Sequence, residues 1–408
     1  MTAPLRLAAV LLLAAGLATA CSSSSGSSTG SADDKTYAIW DPYPQFDDSS
    51  DWVKLLQKCG TDAGVTVKRT GYDTTDLTTK ALLAAQQGNS PDVLIVDNPV
   101  VSTLAEAGVL NPASNTTGIE PNLLAAGQQD GKTYGVPIGA NTLALYYNKD
   151  LLTKAGVDPA GIKDWTTLTA ALRKVKAAGK KGITFSAIGT EEGSFQFLPW
   201  FWGAGADLTK LDSAQGVQAL TLWTDWLKQG YAPNSVLNNT QTTSWQEFAT
   251  GNFAFSENGT WQLANAKKTG FAYGIIPIPS QAGGTAPAPT GGEFVTSPVQ
   301  DDTKRYDVSQ KIIGCLTSAD NAYTTDTTLS YIAATDAVQA KQVAATPELK
   351  VWVDAVKAAK GRTSDNLGTK YPKISEPMWT AFQAALSGSK SPQDALSGAQ
   401  QTAAAATK

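Results

Sequence analysis

The residues whose chemistry stands out are carboxylates, one amide and aromatic rings set beside Gly-rich turns. They are Asp41, Asp97, Asn141, Glu192 and Glu293 on the polar side, and Trp40, Phe195, Trp200, Trp202, Trp261 and Trp379 on the aromatic side. Carboxylates and amides take neighbouring hydroxyls in pairs of hydrogen bonds, and flat aromatic faces cover the C–H face of a ring. Together they suit recognition of a polyhydroxylated ring. Any one of these aromatics reads first as core, because each buries a large area. The inference rests on clustering, most of all in EEGSFQFLPWFWG (191–203), within a chain that is 8% aromatic. Trp223 and Trp226 continue the apolar stripe of a helix and are expected in the core. A hydrolytic reading stays open, since two carboxylates about 5–10 Å apart can flank a glycosidic bond, and Glu192, Glu257 and Glu293 are available. Histidine is absent, which removes imidazole bases and the commonest metal ligand. No catalytic residue, metal or cofactor is assigned.

These side chains have to be positioned by elements that the patterning makes legible. A strand is expected over 37–40, an amphipathic helix carrying Trp52, Leu55, Leu56 and Cys59 at i, i+3, i+4 and i+7, a second strand from 65, a helix over 76–87, and an apolar strand over 92–96. This βαβαβ order predicts parallel strands with right-handed crossovers. Ligands in such sheets lie beyond the carboxyl ends of the strands, which selects Asp41 and Asp97, with Asn98 beside it. Each also reads as a turn former or helix cap. Asn141 stands just before a strand over 143–147, which runs into a helix start at Asn148. Later elements are helices over 165–178 and 213–229, strands over 183–188, 253–256 and 273–278, a turn over 257–261 leading into a helix, and helices over 303–316, 348–360, 374–386 and 392–404. No internal repeat appears.

The N-terminus has Arg6, an apolar run over 7–20, then Cys21 and a Ser/Gly tract. That run is too short to span a bilayer and reads as a secretory signal over 1–20, followed by a tether over 21–35. No other stretch is long and apolar enough to span. The net charge of −4 argues against nucleic acid or an anionic membrane surface as partner. Roughly 370 residues exceed one hydrophobic core, so two lobes are expected. Cys59 and Cys315 in an exported chain are expected to pair, with two buried thiols as the alternative.

Motifs in order give the chain a family resemblance. PDVLIVD (91–97), DGKTYGVPIGANTLALYYNKDLL (130–152), LPWFWGAGADL (198–208), NGTW (258–261), YGIIPIP and TGGE (290–293) resemble the succession in extracellular solute-binding proteins of family 1, the maltose-binding-protein-like receptors of sugar ABC importers. Residues 18–21 resemble a lipoprotein cleavage box with Cys21 as lipidation site, although Ala18 stands where the box prefers Leu. The resemblance implies an α/β, type II periplasmic-binding-protein fold of two lobes, each a mainly parallel sheet flanked by helices, with hinge crossings. Its N-lobe would hold 36–145 and 272–330, its C-lobe 146–271 and 331–408, with both Cys59 and Cys315 on N-lobe helices. It implies a monomer without enzymatic activity, anchored by its lipid to the outer face of the cell membrane, that closes over a disaccharide or longer sugar and delivers it to permease subunits driven by a cytoplasmic ATPase. Asp41, Asp97, Asn141, Glu192, Phe195, Trp202, Trp261, Glu293 and Trp379 would contact the ligand. Asn141 departs from the family, which has an acid there. A glycan-binding surface adhesin or sensor is the other alternative to the hydrolase.

Overall fold

The structure is a computed structural model that describes residues 35–114 and 116–408, the side chains of Thr74 and Thr75 excepted. The signal at 1–20, Cys21 and the tether up to Asp34 lie outside the described residues. Among the described residues no helix is long and apolar enough to cross a membrane.

The first lobe opens with β1 (Thr36–Asp41), α1 (Asp51–Asp62), β2 (Thr66–Gly71), α2 (Thr74–Gln86) and β3 (Val93–Asp97). β1 pairs in parallel with both β2 and β3, so the strand order is β2-β1-β3 and these three strands are parallel as expected. The period-2 alternation of β1 buries Tyr37, Ile39 and Asp41 on one face and turns Trp40 to the other. α1 lays Trp52, Val53, Leu55, Leu56 and Cys59 against that buried face, with the Ser50 hydroxyl capping its first turn. There follow α3 (Asn98–Glu106), β4 (Leu110–Asn111), α4 (Pro121–Ala125), the hairpin β5 (Gln128–Gln129) and β6 (Lys132–Thr133), and β7 (Gly135–Pro137).

The chain then leaves the first sheet. β8 (Leu143–Asn148), α5 (Lys149–Lys154), α6 (Trp165–Ala177), β9 (Lys181–Thr184), α7 (Glu191–Gly203), α8 (Ala214–Lys228), α9 (Gln241–Ala249), β10 (Phe253–Gly259), α10 (Leu263–Ala266) and β11 (Tyr273–Ile276) build the second lobe around a sheet of order β11-β8-β10-β9. β12 (Glu293–Pro298) returns to the first sheet beside β3, followed by α11 (Arg305–Leu316) and α12 (Ala319–Leu329). α13 (Asp336–Ala345) and α14 (Lys350–Ala358) lead to α15 (Lys370–Leu386) and α16 (Pro392–Ala406), which pack on α7 and α8. The crossing backbones are stitched together where Ala140 pairs with Ile332, Asn141 with Gly291, and Pro289 with Lys360.

Three expectations are corrected. Both sheets are mixed rather than mainly parallel, because β12 runs antiparallel to β3 and β8 runs antiparallel to both β10 and β11. The lobe limits move: β8 pairs with β10 from Leu143 and β11 pairs with β8, so 143–145 and 273–276 belong to the second sheet, and the return crossing lies between β11 and β12. Residues 257–259 continue β10 as fully buried strand, and only then does a single 3-10 turn, Thr260–Gln262, begin. The cysteine pairing is as expected: Cys59 on α1 and Cys315 on α11 form a disulfide.

Candidate functional site between the lobes

The carboxyl end of β3 and the start of β12 bring two acids side by side, Asp97 standing opposite Glu293 in the antiparallel register. Asp97 caps α3 through the backbone N–H of Asn98 and also receives Arg362 Nη2 at 2.9 Å. Arg362 comes from the loop between α14 and α15, and only 3% of its side chain is exposed. Its Nη1 donates to Glu191 Oε1 at 2.9 Å, on the first turn of α7, and its guanidinium carbon lies 4.9 Å from the Phe195 ring centroid, one turn further along that helix. One cation therefore ties the strand ends of the first lobe to the leading helix of the second. Burial opposes the charge on Arg362, but Asp97 and Glu191 outweigh it and hold the guanidinium protonated. Glu191 is itself held by the Tyr371 hydroxyl at 2.6 Å and the Ser375 hydroxyl at 2.6 Å, both on α15.

Glu293 is half-buried. Its Oε2 accepts from the Tyr43 hydroxyl at 2.8 Å and from the Tyr331 hydroxyl. Burial raises its pKa to about 7, with the Asp97 charge adding to the rise and the two tyrosine hydrogen bonds and Arg362 working against it.

Glycines let the aromatic and amide side chains come close. A Cβ on Gly291 would stand 2.0 Å from Asn141 Oδ1 and 2.9 Å from the Phe195 ring, so the TGGE motif needs glycine there for Asn141 and Phe195 to meet over the crossing backbone. The Asn141 amide is half-buried and makes no hydrogen bond among the described residues. A Cβ on Gly259 would strike the Trp261 indole at 2.0 Å, so in NGTW the ring lies flat across the glycine. Trp261 stays half-buried, with its centroid 6.3 Å from Phe195. Trp379, half-buried on α15, abuts Gly189 just before α7.

Of the nine expected contact residues, the structure gathers Asp97, Phe195 and Glu293 around Arg362 and sets Asn141 and Trp261 beside Phe195. It turns three others away. Asp41 shares the buried face of β1, and its oxygens accept from Arg69 Nε at 2.6 Å, Arg69 Nη2 at 2.8 Å, Trp52 Nε1 at 3.0 Å and the Tyr43 N–H at 3.0 Å, so it is an internal ion pair of the first lobe. Glu192 is rotated about 100° from Glu191 around α7, is exposed, and accepts from the Gln241 N–H at 2.8 Å at the start of α9. Trp202 is buried under Lys360, about 16 Å along the helix from Glu191. Trp200, named as a platform, is fully buried and donates its indole N–H to Glu257 Oε2 at 2.8 Å. Trp40, half-buried, packs edge-on against Tyr72 at 5.2 Å. Sequence reading missed Arg362, Glu191, Tyr43 and Tyr331. Of these only Glu191 carried a local signal, as the first acid of the α7 window.

Two α/β lobes with an amide, carboxylates and a tilted pair of aromatic rings between them have the make-up of a solute-binding receptor. Residues 54–351 match the family described as bacterial extracellular solute-binding protein, and the chain belongs to that family. It is 29% identical over 330 residues to the maltodextrin-binding protein MdxE of Bacillus subtilis, covering 77% of this chain and 76% of that protein. It is 26% identical over 334 residues to a maltooligosaccharide ABC transporter solute-binding lipoprotein of Streptococcus pneumoniae, covering 77% and 75% of the two chains. Among solved structures, the GacH receptor of Streptomyces glaucescens, determined unliganded and with acarbose and an acarbose homolog, superposes with a TM-score of 0.75 at 26% identity, covering 90% of this chain and 96% of that one.

Proposed function

We propose that this protein is the substrate-binding component of an ABC importer and captures a disaccharide or longer sugar of the maltooligosaccharide class between its lobes. The observation that carries the reading is the Phe195–Trp261 pair set beside the unpartnered Asn141 amide and the acids Asp97 and Glu293. A ring of the sugar stacks on the half-buried Trp261, which the buried Phe195 backs, and its hydroxyls donate to the carboxylates and exchange hydrogen bonds with the amide. Closure of the lobes shields these bonds from water and favours the liganded form. Trp379 extends the aromatic surface along α15. The relatives named for maltodextrin and maltooligosaccharide support this ligand class. Delivery goes to permease subunits powered by their ATPase, from a monomer held on the outer face of the membrane by a lipid on Cys21.

The protein binds its sugar without cleaving it. Glu257, one acid available to a hydrolase, is fully buried in the core, and Glu192 faces α9, so neither stands across the cleft from Glu293. A thermal-shift screen over glucose, maltose, maltotriose and longer glucans tests the function, because a ligand that binds only the folded form raises the melting temperature. Maltotriose is expected to raise it. A rise with a peptide or polyamine and with no sugar contradicts the carbohydrate reading.

A further inference from the structure

Glu293 is gripped by two phenols that come from distant parts of the first lobe. Tyr43 follows β1 and Tyr331 follows α12, and both side chains are buried. Their hydroxyls converge on the same oxygen, Oε2, and lie 3.4 Å from each other. The second oxygen, Oε1, accepts from no group among the described residues. Four groups from different elements act on the charge of this carboxyl: Asp97 on β3 repels it, Arg362 on the loop after α14 attracts it, and Tyr43 and Tyr331 donate to it. Asp326 on α12 lies behind Tyr331. Its carboxyl is buried without a hydrogen-bond partner among the described residues, and burial pushes its pKa well up. A Cβ on Gly139 would meet both Asp326 Oδ1, at 2.1 Å, and the Tyr331 side chain, at 3.0 Å, so the crossing backbone is wedged against the tyrosine that holds the acid.

We propose that Tyr43 and Tyr331 are positioning residues for ligand recognition, which fix one oxygen of Glu293, present the other to a sugar hydroxyl, and so make binding follow the ionisation of that carboxyl. The inference rests on the sugar-binding reading and deepens it. A carboxylate oxygen accepts strongly from a hydroxyl, whereas protonation turns one oxygen into an O–H donor and leaves the carboxyl a single, weaker carbonyl acceptor. Affinity is therefore highest when Glu293 is ionised and falls as the pH drops through its midpoint, by at most about tenfold for each pH unit below it. The tyrosine hydroxyls favour the ionised form, so their removal raises the pH at which binding is gained.

Two measurements on the full folded protein test this. The first needs no ligand: the side-chain carboxyl signals of 13C-labelled glutamate are followed by NMR from pH 4 to 9, with Glu293 assigned by the signal missing from Glu293→Gln. The native midpoint is expected near 7. In Tyr43→Phe/Tyr331→Phe it is expected to lie about one pH unit higher. The single variants serve if the double variant folds poorly. A midpoint that does not move in the variants overturns the positioning role, because a purely structural tyrosine changes stability and leaves the midpoint in place. The second measurement is the maltotriose dissociation constant from pH 5.5 to 8.5. Affinity is expected to rise with pH in the native protein, to rise at higher pH in the phenylalanine variants, and to be flat in Glu293→Gln. Maltotriose binding that ignores pH in the native protein overturns the linkage. If maltotriose binds at no pH while the NMR midpoint still moves on Tyr→Phe substitution, the sugar reading fails and the tyrosine grip on Glu293 stands.

Discussion

Arg362→Met keeps a side chain of similar length and removes the charge that links Asp97 to Glu191. Breaking a buried ion pair from one side typically costs about 3–5 kcal/mol, because the remaining charge is left without a partner. In this cluster the cation is 3% exposed, whereas the side chains of Asp97 and Glu191 are 24% and 37% exposed. Water therefore takes over part of the stabilisation of each carboxylate, and the methionine also relieves the buried Arg362 Nε, which has no hydrogen-bond partner among the described residues. About 2 kcal/mol is the expected net loss. For a folded unit of this length that corresponds to a fall of about 3 °C in melting temperature. Calorimetry of the ligand-free protein reads it. The mechanism is isolated by repeating the substitution in an Asp97→Asn/Glu191→Gln background, where no carboxylate is stranded and most of the loss disappears. An equal loss in both backgrounds refutes the ion-pair reasoning and assigns the effect to packing against Phe195.

Three further outcomes follow from the same geometry. The Cys59–Cys315 disulfide closes a separation of 256 residues, so Cys59→Ser/Cys315→Ser is expected to lower the urea midpoint, with chain entropy setting an upper bound of about 5 kcal/mol; an unchanged midpoint contradicts it. Burial pushes the Glu257 pKa up in the folded protein, opposed by the Trp200 hydrogen bond, so this group favours folding most below the ordinary glutamate value of 4.5 and progressively less as pH rises through it. Glu257→Gln keeps an acceptor for Trp200 and is expected to be relatively more stable at pH 8 than at pH 5; urea titrations at both pH values with identical differences from the native protein contradict this. Trp261→Ala is expected to abolish sugar binding with the fold intact, read by thermal shift and circular dichroism, and unfolding instead makes Trp261 a core residue.

The first lobe was legible because its signals are local. The i, i+3, i+4, i+7 spacing of Trp52, Leu55, Leu56 and Cys59 marks one helix face, and the apolar run ending at Asp97 marks a strand covered on both sides. What misled the reading of the site was side-chain direction. Asp41 stands at a strand end as expected, yet the alternation of β1 points it at α1 and Arg69 rather than between the lobes. In the aromatic window the helical period decides everything: Glu191 faces Arg362 while its neighbour Glu192 faces α9, and Trp200 and Trp202 are enclosed because α7 is apolar nearly all round. Arg362 had no sequence signal at all. It is a lone arginine in a Gly/Thr/Ser loop, and its partners lie 171 and 265 residues away. Tyr331 likewise gains meaning only when α12 sets it beside Glu293.

Isothermal titration of the purified protein with maltotriose, followed by chromatography of the recovered sugar, tests the central claim most directly. Saturable binding of one maltotriose per chain, lost in Trp261→Ala, with the sugar recovered intact, is the predicted result. No heat of binding with maltotriose or any other glucan, or recovery of cleaved sugar, contradicts the account of a cleft that captures sugar without transforming it.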